Sequence, residues 1–157
     1  MTSTVRLIPM DPTTYEEFRT RLVREYAADK VAAGNWPAEG SLVRSETEMR
    51  ELLTDGLATD GHWLWTIEDE AGRDVGDLWI GPHATDRESV YIFDIEVRPE
   101  ARGRGIGRAA LDALESWARS AGHRRIGLQV FGSNAVARRL YTRAGYVETN
   151  VLMEKHL

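Results

Sequence analysis

Apolar residues recur along this chain with two spacings, and each predicts its own kind of element. Tyr15, Phe18, Leu22 and Tyr26 fall three and four residues apart, the spacing of one helix face. Asp11-Pro12 precedes them as an N-cap acceptor with proline at the first helical position, which predicts a helix running to about Ala33, where Gly34 ends it. Thr4 to Ile8 reads as a short strand ahead of that helix. Ser45-Glu46-Thr47-Glu48 is a capping box, and it predicts a second helix opening there and running through about Leu53.

The spacing then shortens. Trp63 to Glu68 and Val75 to Ile80 read as two strands of a hairpin, joined by a polar turn around Glu70-Ala71-Gly72. In Ser89 to Val97 the two-residue period predicts Tyr91, Phe93, Ile95 and Val97 on one face, with Asp94 and Glu96 on the other. A helical stripe follows through Ile106, Ala110, Leu114, Trp117 and Ala121, stopped by Gly122. Ile126 to Val130 is a strand, and Asn134 to Ala144 a short helix ended by Gly145. Tyr146 to Met153 is expected to return as one or two closing strands. This order predicts an α/β layer fold with helices on both faces of one mixed sheet. The 157 residues, 42% of them hydrophobic, suit a single domain over 1–157 that buries its own core.

Composition removes several classes of chemistry. The chain has no cysteine, which excludes disulfides, thiolate metal sites and a cysteine nucleophile, and fits a reducing cytoplasm. The start, Met1 to Arg6, lacks a signal-like apolar run, and no stretch reaches the roughly 18 apolar residues of a membrane span, so a cytoplasmic location is expected. His62, His83, His123 and His156 show no metal-ligand spacing, and no metal is expected. The net charge of −5 is unevenly divided. Residues 1–97 carry 9 basic and 20 acidic residues, whereas residues 98–143 carry 10 arginines against Glu100, Asp112 and Glu115. The second stretch suits an anion. The overall negative charge and the lack of a basic recognition helix argue against nucleic acid as that anion.

The arginines surround Arg102-Gly103-Arg104-Gly105-Ile106-Gly107, between an apolar strand and an apolar-striped helix. Three glycines in five residues let the backbone turn tightly, and their N–H groups can converge with the helix N-terminus on a phosphate. The run is not a Walker loop, because Arg108 follows where Lys-Ser/Thr would stand. Nor is it a dinucleotide fingerprint, whose last two glycines are three residues apart.

Two blocks together carry a family resemblance. Ile95-Glu96-Val97-Arg98-Pro99-Glu100-Ala101-Arg102-Gly103-Arg104-Gly105-Ile106-Gly107, followed by Ser133-Asn134 and Leu140-Tyr141-Thr142-Arg143-Ala144-Gly145-Tyr146, resembles the GNAT superfamily of acyl-CoA-dependent N-acetyltransferases. Tyr26 to Trp36 and Val75 to Trp79 look like a little-characterised bacterial subgroup of it. The resemblance implies a GNAT-like mixed, mostly antiparallel sheet of six to seven strands. It implies acetyl-CoA as co-substrate and a primary amine of a small molecule or peptide as acceptor. Residue by residue, it implies that Ile95, Glu96 and Val97 pair with the pantetheine arm and that the amides from Gly103 to Arg108, framed by Arg102, hold the pyrophosphate. Asn134 would bond the pantetheine, and Tyr141 would protonate the departing thiolate. Tyr141 also sits beside the inward stripe of its helix, and Asn134 also suits an N-cap.

The base is less marked. Gln129 stands where some relatives carry a glutamate, and glutamine takes no proton. Asp94 and Glu96 remain, two carboxylates on one face of a central strand that must line a cleft or pair with arginine. A bulge there would re-aim Asp94, the candidate base. Glu16, Glu17, Glu25 and Asp29, with Trp36, Trp63, Trp65 and Trp79, are candidates to receive a cationic amine. A non-catalytic acyl-CoA-binding or sensing module is the competing function, and exposed sheet edges allow a homodimer.

Overall fold

A computed structural model describes residues 3–157. The first strand, β1 (Arg6–Pro9), leads into α1 (Pro12–Ala32), whose N-terminus is capped by Asp11 accepting from the backbone N–H groups of Thr13 and Thr14 at 2.8 and 2.9 Å. A second helix, α2 (Ser41–Leu52), precedes the strands β2 (Trp63–Glu68), β3 (Asp74–Pro82) and β4 (Ser89–Val97). Then come α3 (Ile106–Ser120), β5 (Arg125–Leu128) and α4 (Ala135–Arg143). The strands lie in chain order, antiparallel except for the parallel β4–β5 pair.

Each face of the sheet has its own core. On one, Ile106, Ala110 and Leu114 of α3 pack on Ile67, Leu78, Ile80, Val90 and Ile92. On the other, Phe18 and Leu22 of α1 and Met49 of α2 pack on Leu64 and Trp79. Leu114 and Leu78 are wholly buried, each contributing about 1.5–3 kcal/mol.

Three expectations are corrected. The second helix starts one turn before the capping box, at Ser41 after Gly40, and Ser45 lies inside it, buried, its hydroxyl donating to the Val23 carbonyl at 2.8 Å. Tertiary packing against α1 uses the serine that local pattern read as a cap. The sheet has five strands among the described residues, not six or seven, because residues 146–153 pair with nothing. Lastly, β4 carries a bulge. Trp79 faces Asp94 but Ile80 faces Ile92, leaving Phe93 as the extra residue. One inserted residue reverses the alternation. Val90, Ile92, Ile95 and Val97 therefore join the α3 core, while Phe93 stacks on Trp79 in the other, 4.6 Å between ring centroids.

Candidate active site

The site begins where β4 and β5 part. Their pairing runs from Ser89 with Arg125 to Ile92 with Leu128, and β4 continues alone to Val97. Arg98 donates its backbone N–H to Val75 of β3, and antiparallel alternation then turns the Glu96 amide toward β3 as well. Ile95 and Val97 consequently present their N–H groups to the open side. The Val97 carbonyl is already taken by Arg102 Nε at 3.0 Å.

The turn after β4 gathers a row of backbone amides. Gly103 and Gly105 adopt φ of 74° and 78°, the left-handed region that side chains disfavour. Gly107 is tightly packed for another reason: a Cβ there would lie 3.1 Å from Leu140 Cδ2 on α4, so that side chain would have to give by a few tenths of an ångström. Among the described residues, the backbone N–H groups of Gly103, Arg104, Gly105, Ile106, Gly107 and Arg108 donate to no protein acceptor; the first helical bond of α3 is Ala109 to Gly105 at 3.0 Å. Six consecutive free donors at the positive end of a helix form a ready anion cradle. Three of the arginine side chains around the turn are committed elsewhere. Arg98 grips Asp77 with bonds of 2.7 and 3.0 Å, Arg102 pairs with Glu96, and Arg108 binds Asp112 and the Arg143 carbonyl. Arg104 makes no such bond, its side chain lying 3.9 Å from Asp69 and half-exposed beside the turn.

Behind the open edge, the bulge sends Asp94 toward α1. Arg21 Nη2 donates to Asp77 Oδ2 at 3.1 Å and to Asp94 Oδ2 at 3.3 Å, while its Nη1 binds Glu25 at 2.6 Å. Asp77, also held by Arg98, has the better share of the charge. Burial pushes the Asp94 carboxyl up to about 7; Arg21 opposes the rise, and Glu96 and Asp77 add to it. Its side chain remains 18% exposed and so reachable from solvent. Arg21 is the residue that sequence reasoning missed. Its signal was positional: three residues after Phe18, it edges the apolar stripe of α1, opposite a strand pair bearing carboxylates.

From the far side comes α4. Asn134 caps it, its side-chain oxygen accepting from the Ala137 N–H at 3.1 Å. Tyr141 packs at the rim of the α3-side core beside Tyr146. Burial raises its phenol to about 12, with the Asp94 carboxylate as second cause. The phenol is therefore protonated at neutral pH, as a proton donor must be.

The acceptor-side residues separate. Glu16, Glu17 and Glu25 line an open groove of about 590 Å³ along α1 that also exposes Arg21. The tryptophans do not gather there. Trp79 is core, Trp63 and Trp65 pack on Trp117, and Trp36 packs on Tyr26 beneath the Arg44 guanidinium. His62 is also accounted for by packing, accepting from Trp79 Nε1 at 3.0 Å. No helix among the described residues is long and apolar enough to cross a membrane.

Known proteins share this sequence and fold. The chain is 37% identical over 157 residues to the uncharacterized N-acetyltransferase YycN of Bacillus subtilis (strain 168), covering 98% of this chain and 99% of that one. The crystal structure of YycN superposes with a TM-score of 0.92 at 36% identity, over 98% of this chain and 99% of that one. At 19% identity, an acetyltransferase structure from Clostridium acetobutylicum solved with acetyl-CoA shares the fold, with a TM-score of 0.60 over 98% and 96% of the two chains. The model of the Acetyltransferase (GNAT) family matches residues 20–146, and the chain belongs to that family.

Proposed function

We propose that this protein transfers the acetyl group of acetyl-CoA to a primary amine of a small molecule or peptide by direct attack. The run of six unpaired amides at the N-terminus of α3, beside a β4 edge with no strand partner, carries the reading. The amides from Gly103 to Arg108 hold the pyrophosphate. Ile95 and Val97 pair with the pantetheine as a strand would, and the side-chain NH₂ of Asn134, whose oxygen is used as a cap, is left to bond the same arm. Glu96 acts indirectly, by anchoring Arg102 at the start of the turn.

The amine nitrogen attacks the thioester carbonyl, forming the C–N bond while the C–S bond breaks. Asp94, held near neutrality, accepts the amine proton directly or through water, and Tyr141 protonates the leaving thiolate. The glutamates of the groove along α1, Glu16, Glu17 and Glu25, which outnumber Arg21 and Arg24 there by one charge, offer carboxylates to a cationic acceptor. No metal enters this scheme, and the cysteine-free chain suits the cytoplasm.

The test is thiol release from acetyl-CoA, followed with Ellman's reagent across simple amines, polyamines, aminoglycosides and N-terminal peptides, beside a calorimetric titration of acetyl-CoA. Acceptor-dependent release is expected. Binding without release from any acceptor points to the sensing module, and failure to bind acetyl-CoA refutes the assignment of the cradle.

A further inference from the structure

Four carboxylates and two guanidinium groups form one network across the α1 face of the sheet. Glu25 and Arg21 come from α1, Asp74 and Asp77 from β3, Asp94 from β4, and Arg98 from the end of that strand. Asp77 stands opposite Glu96 in the β3–β4 register and Asp94 opposite Trp79, so the two aspartates are diagonal neighbours. A long side chain can reach both members of such a pair. Arg21 does so from above, its Nη2 donating to Asp77 Oδ2 at 3.1 Å and to Asp94 Oδ2 at 3.3 Å.

Two positive charges do not satisfy four negative ones. Glu25 and Asp74, at the two ends of the network, are 49% and 45% exposed and have water as a partner. The competition therefore falls on Asp77 and Asp94, whose side chains are 1% and 18% exposed. Asp77 wins it through Arg98. Nη1 and Nη2 of Arg98 donate to Asp77 Oδ2 and Oδ1 at 2.7 and 3.0 Å, a two-pronged grip that fixes the carboxylate plane. The Arg98 backbone N–H donates to the Val75 carbonyl at 2.9 Å, so the grip starts from a fixed point on β3. Asp77 thus holds three hydrogen bonds from guanidinium groups and Asp94 one, and the deficit of positive charge is left at Asp94. Glu96 on the same strand is paired with Arg102, and the Tyr141 phenol on α4 is neutral, so neither brings a positive charge to make up the difference. The Asp94 carboxyl, raised to about 7 by burial with Glu96 and Asp77 adding to the rise, agrees with that deficit.

We propose that Asp77 is a positioning residue for acetyl transfer: fixed by Arg98, it holds the Arg21 guanidinium back from a full pairing with Asp94, and so keeps Asp94 able to take the proton of the acceptor amine. Without the Asp77 charge no other buried carboxylate competes for Nη2, and Arg21 closes on Asp94. A carboxylate paired in that way is a poor base. The role of Asp77 in turnover rests on the reading of Asp94 as the base; its hold on Arg21 does not.

Asp77→Asn keeps the shape of the side chain and removes its charge. The Asp94 carboxyl carbon, followed by ¹³C NMR in the full chain without acetyl-CoA and assigned by its loss in Asp94→Asn, is expected to titrate about one pH unit lower than in the parent protein. The acid limb of turnover should move with it, measured by thiol release from acetyl-CoA with whichever simple amine, polyamine, aminoglycoside or N-terminal peptide is turned over fastest. Loss of a negative charge lowers the titration by itself, so the same change is made in Arg21→Met, where the shift should largely vanish. Arg98→Lys keeps the charge but loses the two-pronged grip, which turns Asp77 toward Arg21 and should move the Asp94 titration up. This second variant carries the test alone if circular dichroism shows Asp77→Asn unfolded. The proposal is overturned by an Asp94 titration that stays in place in Asp77→Asn, by a shift of equal size with and without Arg21, or by an unmoved titration in Arg98→Lys. A carbon titration that moves while the acid limb does not shows that Asp94 is not the base, and the role of Asp77 in turnover falls with it.

Discussion

Asp94 combines two properties that rarely coincide: it is buried enough to be held near neutrality, yet keeps a solvent-facing edge. Arg21 sets the balance, since its guanidinium is divided among Asp94, Asp77 and Glu25 and so neutralises none of them alone. Asp94→Asn should cut turnover by about 10²–10⁴-fold and abolish the acid limb of the rate profile near pH 7, leaving acetyl-CoA affinity unchanged. Arg21→Met removes the charge that lowers the Asp94 pKa. The acid limb should therefore move to higher pH, with Arg21→Lys moving it less; an unmoved limb would mean that Asp94 is not the base. Tyr141→Phe should lower turnover with little change in acetyl-CoA binding if the phenol is the proton donor. Equal turnover would reduce Tyr141 to packing.

At the level of elements, the turn from β4 into α3 and the parting of β4 from β5 jointly make the proposed seat. Gly105→Val adds a Cβ where only Ser3 Oγ, 3.8 Å away, is near, so its cost is backbone strain of about 1–2 kcal/mol rather than a clash. Relief of that strain turns the amides out of register, and acetyl-CoA affinity measured by calorimetry should fall at least about tenfold. Gly107→Ala acts differently, because its methyl presses on the Leu140 side chain, in the residue next to Tyr141 on α4. That variant should lose turnover through Tyr141 before it loses affinity. The glycine spacing was legible in the sequence because a tight turn requires that residue type locally. The side chains of Arg102 and Arg108 were not, since their partners, Glu96 and the Arg143 carbonyl, are chosen by the fold.

Across the whole molecule, the raised pKa of Asp94 couples stability to pH. Its folded-state value of about 7 lies above the ordinary 3.8, so the native state holds a proton that the unfolded chain has released between those values. The stability from this group is full at low pH and is lost as pH rises through 7. Thermal melts should accordingly show Asp94→Asn gaining on the parent protein between about pH 4 and 7, then holding a constant difference. The sequence by itself determined the helix α1 with its Asp11 cap, the hairpin of β2 and β3, the apolar stripe of α3 and the glycine turn, because each is set by neighbours within one or two turns of chain. It also carried the family, through two motifs of local spacing. Only the tertiary structure decided that β4 bulges at Phe93, that Arg21 reaches Asp94 from another element, and that residues after Tyr146 form no strand within their own chain. Each of these depends on what a partner segment offers: the register of β3, the reach of a side chain across the gap from α1, and an edge of β5 to which this chain's own end does not return.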